Sequence, residues 1–312
     1  MENIIAPVKK DLLVQELTDN KFIRETNNGN NKIYIVNYHN SPHVLNEIGR
    51  LREITFRDAG GGTGKSCDLD IFDICDYPYS QLIVWNPEDK EIVGGYRFIK
   101  CADVKLDKNG QPELSTSEIF HFSDQFIKNY LSQTFELGRS FVQPAYQPMV
   151  DFRKGMYSLD NIWDGLGAII VDNPELKYFF GKITMYPHFN VFARDMILFF
   201  LNKYFGDEGN MITPKFPLES QTRTEVLESI FYADNYVDNY KILVQEVRKQ
   251  KENVPPLVNA YMNLSATMKF FGTSINSHFG EVEETAILIS VDDIYDMKKD
   301  RHLNSYIKNN KA

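Results

Sequence analysis

The sequence has little cysteine, no surplus of positive charge and no long apolar run, and each shortage excludes a class of protein. Its three cysteines, Cys67, Cys75 and Cys101, make no C-x-x-C pair and are odd in number. Neither a disulfide framework nor a cysteine zinc site is therefore expected, and a reducing cytoplasm fits. The six histidines, His39, His43, His121, His188, His278 and His302, show no ligand spacing among themselves, so no metal is expected. The 34 Lys and Arg against 43 Asp and Glu give a formal net charge of -9. That balance argues against a nucleic-acid partner, which needs a basic face against phosphates. The amino terminus, MENIIAPVKKDLLVQEL, has no sustained apolar stretch behind a basic start, and apolar runs elsewhere are far too short to span a bilayer. The chain reads as soluble and cytoplasmic, which leaves peripheral contact with the inner face of the membrane open.

What is there is the makeup of a globular protein of 312 residues, 43% hydrophobic and 25% charged, enough to bury one large core. A glycine and asparagine turn over 27–31 leads into residues 32–37, whose β-branched and aromatic side chains predict a first strand. Val44, Leu45, Ile48, Leu51, Ile54 and Phe56 then recur at helical spacing up to the glycine cluster at Gly60. Residues 81–85 and 91–98 flank Asn86-Pro-Glu-Asp-Lys90 as a hairpin. A short helix over 122–131 and a strand over 134–142 follow, then a helix over 159–171, a strand over 178–186 and an apolar helix over 191–205. A helix over 226–247, another after Pro255-Pro256 and a last strand over 286–291 complete the pattern. The order predicts an α/β (α+β) fold, a mixed central sheet flanked by helices with an appended helical C-terminal segment. The expected division is an N-terminal extension over 1–31, one domain over 32–295 with a helical insertion over 206–270, and a C-terminal tail over 296–312.

Ala59-Gly-Gly-Gly-Thr-Gly64-Lys65-Ser66 satisfies a loose phosphate-loop pattern. A phosphate loop needs a strand before it and a helix after it whose amino terminus faces the phosphates. Here a helical pattern precedes it, and four acidic residues follow within Cys67–Asp76 and would repel a triphosphate. Nucleotide binding is rejected on that ground.

Charged residues within otherwise apolar strands need pairing or a function. Arg97 lies in Val93-Gly-Gly-Tyr-Arg-Phe98, Glu136 and Arg139 lie in Phe135-Glu-Leu-Gly-Arg-Ser140, Asp70 and Asp73 stand three apart in the acidic loop, and Arg52 and Arg57 flank the end of the first long helix. An ion-pair network that pins the loop to the sheet and an active site would share this signature. Glu136 has the stronger functional case: an amine attacking a thioester must lose a proton, and a carboxylate in an apolar strand is a suitable base. The thioester is already activated, so no serine or cysteine nucleophile is required, and backbone N–H groups suffice to stabilise its oxygen.

Taken in order, Arg52-Glu-Ile-Thr-Phe56-Arg57, Gly62-Thr-Gly64, Asp68-x-Asp70-x-x-Asp73, Leu82-Ile-Val-Trp85, Ile92-Val-Gly-Gly-Tyr-Arg97 and Glu136-Leu-Gly-Arg-Ser-Phe-Val142-x-Pro-x-Tyr-Gln147 resemble the hemolysin-like GNAT acyltransferases. Ornithine-lipid and glycine-lipid N-acyltransferases belong to that group, and acyl-homoserine-lactone synthases share its arginine, phenylalanine and acidic pattern. The resemblance extends through Ile162-Trp-Asp-Gly165, Phe180-Gly-Lys-Ile183 and Val254-Pro-Pro-Leu-Val-Asn-Ala-Tyr261, so it covers about residues 45–295.

The resemblance implies a GNAT-like fold that splays two central strands around a thioester donor. It implies transfer of a 3-hydroxy or plain fatty acyl group from acyl carrier protein to the amine of a small amino acid, with no bound cofactor. Glu136 and Arg139 would be catalytic, and Arg52, Phe56, Asp70, Asp73 and Arg97 would form the acceptor loop network. Val142, Arg153, Lys154 and Gly155 would meet the donor. The segment Gln147-Pro-Met-Val-Asp-Phe-Arg-Lys-Gly155 lacks the repeated glycines that wrap CoA pyrophosphate in related acetyltransferases, which favours carrier-bound phosphopantetheine. An acidic carrier docking on an acidic enzyme needs a local basic surface, and Arg153 with Lys154 is the candidate. Gly138 stands where ornithine enzymes and lactone synthases often have serine; the Glu-Leu-Gly-Arg-Ser-Phe-Val form and the Gly-Thr-Gly loop are closer to the glycine-lipid branch. Glycine is thus the first acceptor, ornithine the second, lactone synthesis the next alternative and a lytic or lipid-binding protein the last.

Overall fold

The computed structural model describes residues 1–310; the last two residues of the expected tail, 311 and 312, lie outside the described residues. Gly29 and Asn30, with φ of 83 and 52, sit in the left-handed region that a tight turn needs and that glycine and asparagine tolerate best. The turn joins β1 (Phe22–Glu25) to β2 (Lys32–Val36) in an antiparallel pair. The segment read as an extension therefore supplies a strand, and before it α1 (Lys10–Glu16). Beyond β2 come α2 (Pro42–Asp58), the one-turn α3 (Ile71–Ile74), β3 (Ser80–Asn86) and β4 (Glu91–Lys100). The short β5 (Phe120–Phe122) and α4 (Asp124–Asn129) precede β6 (Thr134–Val142), α5 (Phe152–Gly155) and α6 (Ser158–Asp172).

Contacts group the chain into two compact units. The first comprises Met1–Asp103, Gln133–Lys177 and the segment from Tyr295 onward. Its strands lie in the order β1-β2-β3-β4-β6, each antiparallel to its neighbour. Successive strand residues point to opposite faces, and the helices use both. Arg52 on α2 reaches Gln81, while on α6 a Cβ at Gly165 would come within 2.7 Å of the side chain of the next residue, Leu82. The apolar period of α2 buries Val44, Leu45, Ile48, Leu51 and Phe56, and that of α6 buries Ile162, Leu166 and Ile169. At about 1.5–3 kcal/mol for each large side chain, these faces hold both helices on the sheet. The expected tail is helical and docks on α6: a Cβ at Gly167 would stand 2.5 Å from the His302 carbonyl oxygen, and His302 Nδ1 lies 2.8 Å from Asp164 Oδ1.

The second unit comprises Val104–Ser132 and Tyr178–Ile294. It contains β7 (Tyr178–Met185), α7 (Val191–Phe205), β8 (Ile212–Pro214), α8 (Thr224–Ile230), α9 (Tyr236–Lys249), α10 (Pro256–Met262), β9 (Lys269–Asn276) and β10 (Val282–Ser290). Strand β10 pairs antiparallel with both β7 and β9, and β5 pairs with β8. The single helix expected over 226–247 is two. Asn235 accepts a hydrogen bond from Asp238 N at 3.0 Å and caps α9, while Phe231 turns into the core against Phe199 and Phe200. Strand β9 was not expected, because Gly272 (φ 89) and three polar residues interrupt its apolar alternation. Strand β10 begins four residues earlier than residue 286, through Glu283 and Glu284, whose charges Arg194 and Lys182 meet. Among the described residues no helix is long and apolar enough to cross a membrane.

Candidate active site

On the α2 face of the first sheet, three aspartates of the loop after α2 meet three arginines. Asp73, fully buried, accepts from Arg52 Nη1 at 3.2 and 3.3 Å, from Arg97 Nη1 at 3.2 Å, from Gln81 Nε2 at 2.9 Å and from the main-chain N–H of Asp70. Asp70 accepts from Arg97 Nη1 at 2.7 Å and caps α3 through the amides of Phe72 and Asp73. Asp68 accepts from Arg139 Nε at 2.9 Å. Burial works to raise the Asp73 carboxyl, but Arg52 and then Arg97 outweigh it and hold the group well below the ordinary carboxylate range. Burial works against the charge of Arg97, and Asp73 and then Asp70 outweigh it and keep the guanidinium protonated. Arg52, Asp70, Asp73, Arg97 and Arg139 are thus brought together, with Gln81 and Asp68 as members the sequence reading did not single out as site residues. Phe56 is buried in the last turn of α2, and its carbonyl accepts from Gly61 N at 2.8 Å.

The glycine loop that mimics a phosphate loop is folded around a carboxylate of its own. Glu53, fully buried on α2, accepts from Thr63 N (3.1 Å), Thr63 Oγ1 (2.7 Å), Gly64 N (2.8 Å) and Arg57 Nε (2.6 Å). Burial pushes its carboxyl up, yet the Thr63, Arg57 and Gly64 bonds together bring it below its usual value. The amides that would cradle a phosphate are therefore taken. The amino-terminal segment ties the loop down from outside, through Glu2 N to Gly64 O (2.8 Å) and Ile5 N to Ser66 O (3.0 Å).

Glu136 lies in β6 opposite Ile99 and has no exposed surface. Tyr79 donates its phenolic hydrogen to Glu136 Oε2. Cys101, fully buried beside it, has its thiol pushed well above the usual range by burial and then by the Glu136 charge. Three residues on, the ladder slips: Gly95 faces Phe141 and Arg97 faces Gly138, so Tyr96 opposes both Arg139 and Ser140. Arg139 carries the resulting bulge with φ 50. A non-glycine residue there costs about 1 kcal/mol or more, and its side chain pairs with the buried Asp68 at 2.9 Å.

The residues predicted for the donor fall in another cluster of the same unit. Val142 ends β6 opposite Gly94, and its carbonyl accepts from Gln147 Nε2 at 2.9 Å. Lys154 pairs with Asp89 at 2.7 Å and lies over the Tyr146 ring, whereas Arg153 is exposed. The amides of Arg153 and Lys154 both donate to Asp151 Oδ1, at 2.9 and 3.1 Å. Gly155 is buried, and a Cβ there would meet Pro148 N at 2.4 Å. A cleft of about 530 Å³ opens on the opposite, α6 side of the sheet, between Ile35, Ser80, Phe98, Phe135 and Ile169, and no predicted site residue lines it.

A family model described as an acetyltransferase (GNAT) domain matches residues 51–151, which hold every predicted site residue except Arg153, Lys154 and Gly155, just past its end. Two proteins named glycine N(alpha)-acyltransferase are similar over nearly the full length. The one from Phocaeicola vulgatus is 54% identical over 308 residues, 99% of this chain and 94% of that protein. The one from Bacteroides thetaiotaomicron is 56% identical over 308 residues, 99% and 91%. A solved CoA-dependent acyl-homoserine lactone synthase with SAM and isopentyl-CoA covers 89% of both chains at 10% identity with a TM-score of 0.39, a likeness that carries no argument.

Proposed function

The chain belongs to the family of the glycine N(alpha)-acyltransferases that it matches almost end to end, and on that premise we propose that it moves a fatty acyl group, 3-hydroxylated or plain, from acyl carrier protein to the amine of glycine in making an aminolipid. The observation that carries the reading is the identity of 54–56% across the full chain with proteins of that name, the acceptor that the Gly138 form of β6 also favours. The glycine nitrogen attacks the thioester carbonyl carbon, the C–N bond forms and the C–S bond breaks. The amine proton passes to Glu136, which returns it to the departing phosphopantetheine sulfur, so that the sulfur leaves as a thiol and the carboxylate is regenerated. Burial of Glu136 keeps bulk water from the reacting centre, which limits hydrolysis of the donor. The bulge at Arg139 takes main-chain groups out of the ladder with β4, where an N–H can meet the developing oxyanion.

Carrier protein is favoured over CoA because Asp151 already occupies the two amides at the start of α5, so that turn offers no open cradle for a pyrophosphate. Arg153 stands exposed among Met149, Val150 and Phe152, themselves exposed, a basic residue in an apolar setting that suits an acidic carrier. Lys154 adds less, since Asp89 neutralises it. Peripheral membrane contact would follow from a product with a long acyl chain. The test offers purified protein one long acyl chain on carrier protein and on CoA, with glycine and ornithine as separate acceptors. N-acylglycine from the carrier thioester is the expected product; equal use of CoA removes the donor assignment, and preference for ornithine removes the acceptor. Glu136→Gln should lower turnover at least about a hundredfold with the fold intact, and near-normal turnover sinks the base.

A further inference from the structure

We propose that Tyr79 is the positioning residue that holds the Glu136 carboxylate for proton transfer and joins it to the arginine–aspartate network; this rests on Glu136 being the base. The placement is specified from several sides. Tyr79 stands one residue before Ser80, which faces Phe98, at the level of Ile99, and Ile99 faces Glu136 from the other side. Its hydroxyl and the carboxylate therefore meet across β4 on one face of the sheet, both fully buried. Its main-chain N–H donates to Phe72 O of α3 at 2.8 Å, and its ring stands edge-on to Phe72 with centroids 5.7 Å apart. The Arg97 guanidinium lies 5.1 Å from the centre of the same ring, within cation–π range, and is itself fixed by Asp70 and Asp73. A chain of contacts thus runs from the acidic loop through Phe72 and Arg97 to Tyr79, and from its hydroxyl to the base.

A buried phenol needs one acceptor, and any carbonyl would serve for stability alone. Donation to a buried carboxylate does more, because it selects one rotamer of Glu136 and so fixes where its oxygens stand for proton transfer. During transfer the amine proton goes to the carboxylate, and the phenol keeps its own hydrogen.

The test is steady-state kinetics of the full chain with donor thioester and glycine for wild type, Tyr79→Phe, Glu136→Gln and the double variant. Measurements are made near neutral pH and again about two units higher, where more glycine arrives as the free amine. Tyr79→Phe keeps the ring contacts and should lower kcat about 10- to 100-fold near neutrality while KM for both substrates stays within about twofold. The loss should shrink at the higher pH, and the substitution should add nothing in the Glu136→Gln background. The pH ratio is read within each variant, so a reduced folded fraction does not alter it. A loss that is equal at both pH values, or that multiplies with Glu136→Gln, makes Tyr79 a core residue and overturns the inference while the base stands. Near-normal turnover in Glu136→Gln alone overturns the base, and the inference with it.

Discussion

Two buried charge clusters, one in each unit, use the same residue types and reach different balances. In the first unit three arginines face three aspartates, and the oxygens of Asp73 are covered by Arg52, Arg97, Gln81 and an amide. Among the cluster's fully buried side-chain atoms, the Nε atoms of Arg52 and Arg97 lack a hydrogen-bond partner. In the second unit one arginine, Arg194, serves two carboxylates, Asp195 at 2.7 Å and Glu283 at 2.6 Å. Asp195 gains the amides of Gln221 and Thr222, at 2.9 and 2.8 Å, whereas Glu283 Oε2 is buried with no hydrogen-bond partner. The titration directions follow. Against burial, the arginines hold Asp73 low; burial raises the Glu283 carboxyl, and Arg194 does not fully compensate, with Asp195 adding to the rise. Equal numbers of opposite charges make a fixed scaffold, and an excess of one sign leaves a group that is easily neutralised.

The largest effect that would break the comparison is at Asp73. Asp73→Asn leaves Arg52 and Arg97 short of a buried counter-charge and should cost about 3–5 kcal/mol of unfolding free energy, measured by urea denaturation near neutral pH. A loss below about 1 kcal/mol would mean that the network does not stabilise the fold. The pH dependence sharpens the same point. The folded Asp73 carboxyl lies below its unfolded value of 3.8, so its stabilisation is complete above about pH 5 and is lost as pH falls through and below that value. The Asn variant should lack this part of the acid slope. Glu283 has the opposite sign: its folded value lies above 4.5, so its contribution falls as pH rises through that interval and stays lower at neutrality. Glu283→Gln should change stability at neutral pH by about 1 kcal/mol or less, or increase it, and should remove that decline. A cost as large as that of Asp73→Asn would show the clusters to be equivalent.

Much of this was legible in the sequence where local pattern decides. Strands β2, β3, β4 and β6 are dense in β-branched and aromatic residues, and the spacing of Asp70 and Asp73 matched the arginines of the neighbouring strands. What stayed hidden depends on register or on residues far apart. Tyr79 and Glu136 are 57 positions apart, and only the pairing of β3, β4 and β6 brings them to one level. Glu53 lies ten and eleven positions before Thr63 and Gly64, and nothing in the sequence ties its carboxylate to their amides. Strand β9 was missed because Gly272 and the surrounding polar residues weaken its pattern, and the break between α8 and α9 because Asn235 acts through one capping bond.

That Glu53 fills its own glycine loop means that the loop's amides serve the fold. Glu53→Ala would release two amides beside Arg57 and Lys65, and added phosphate should then raise the melting temperature of that variant while leaving the wild type unchanged. A motif read from letters alone would describe both proteins identically.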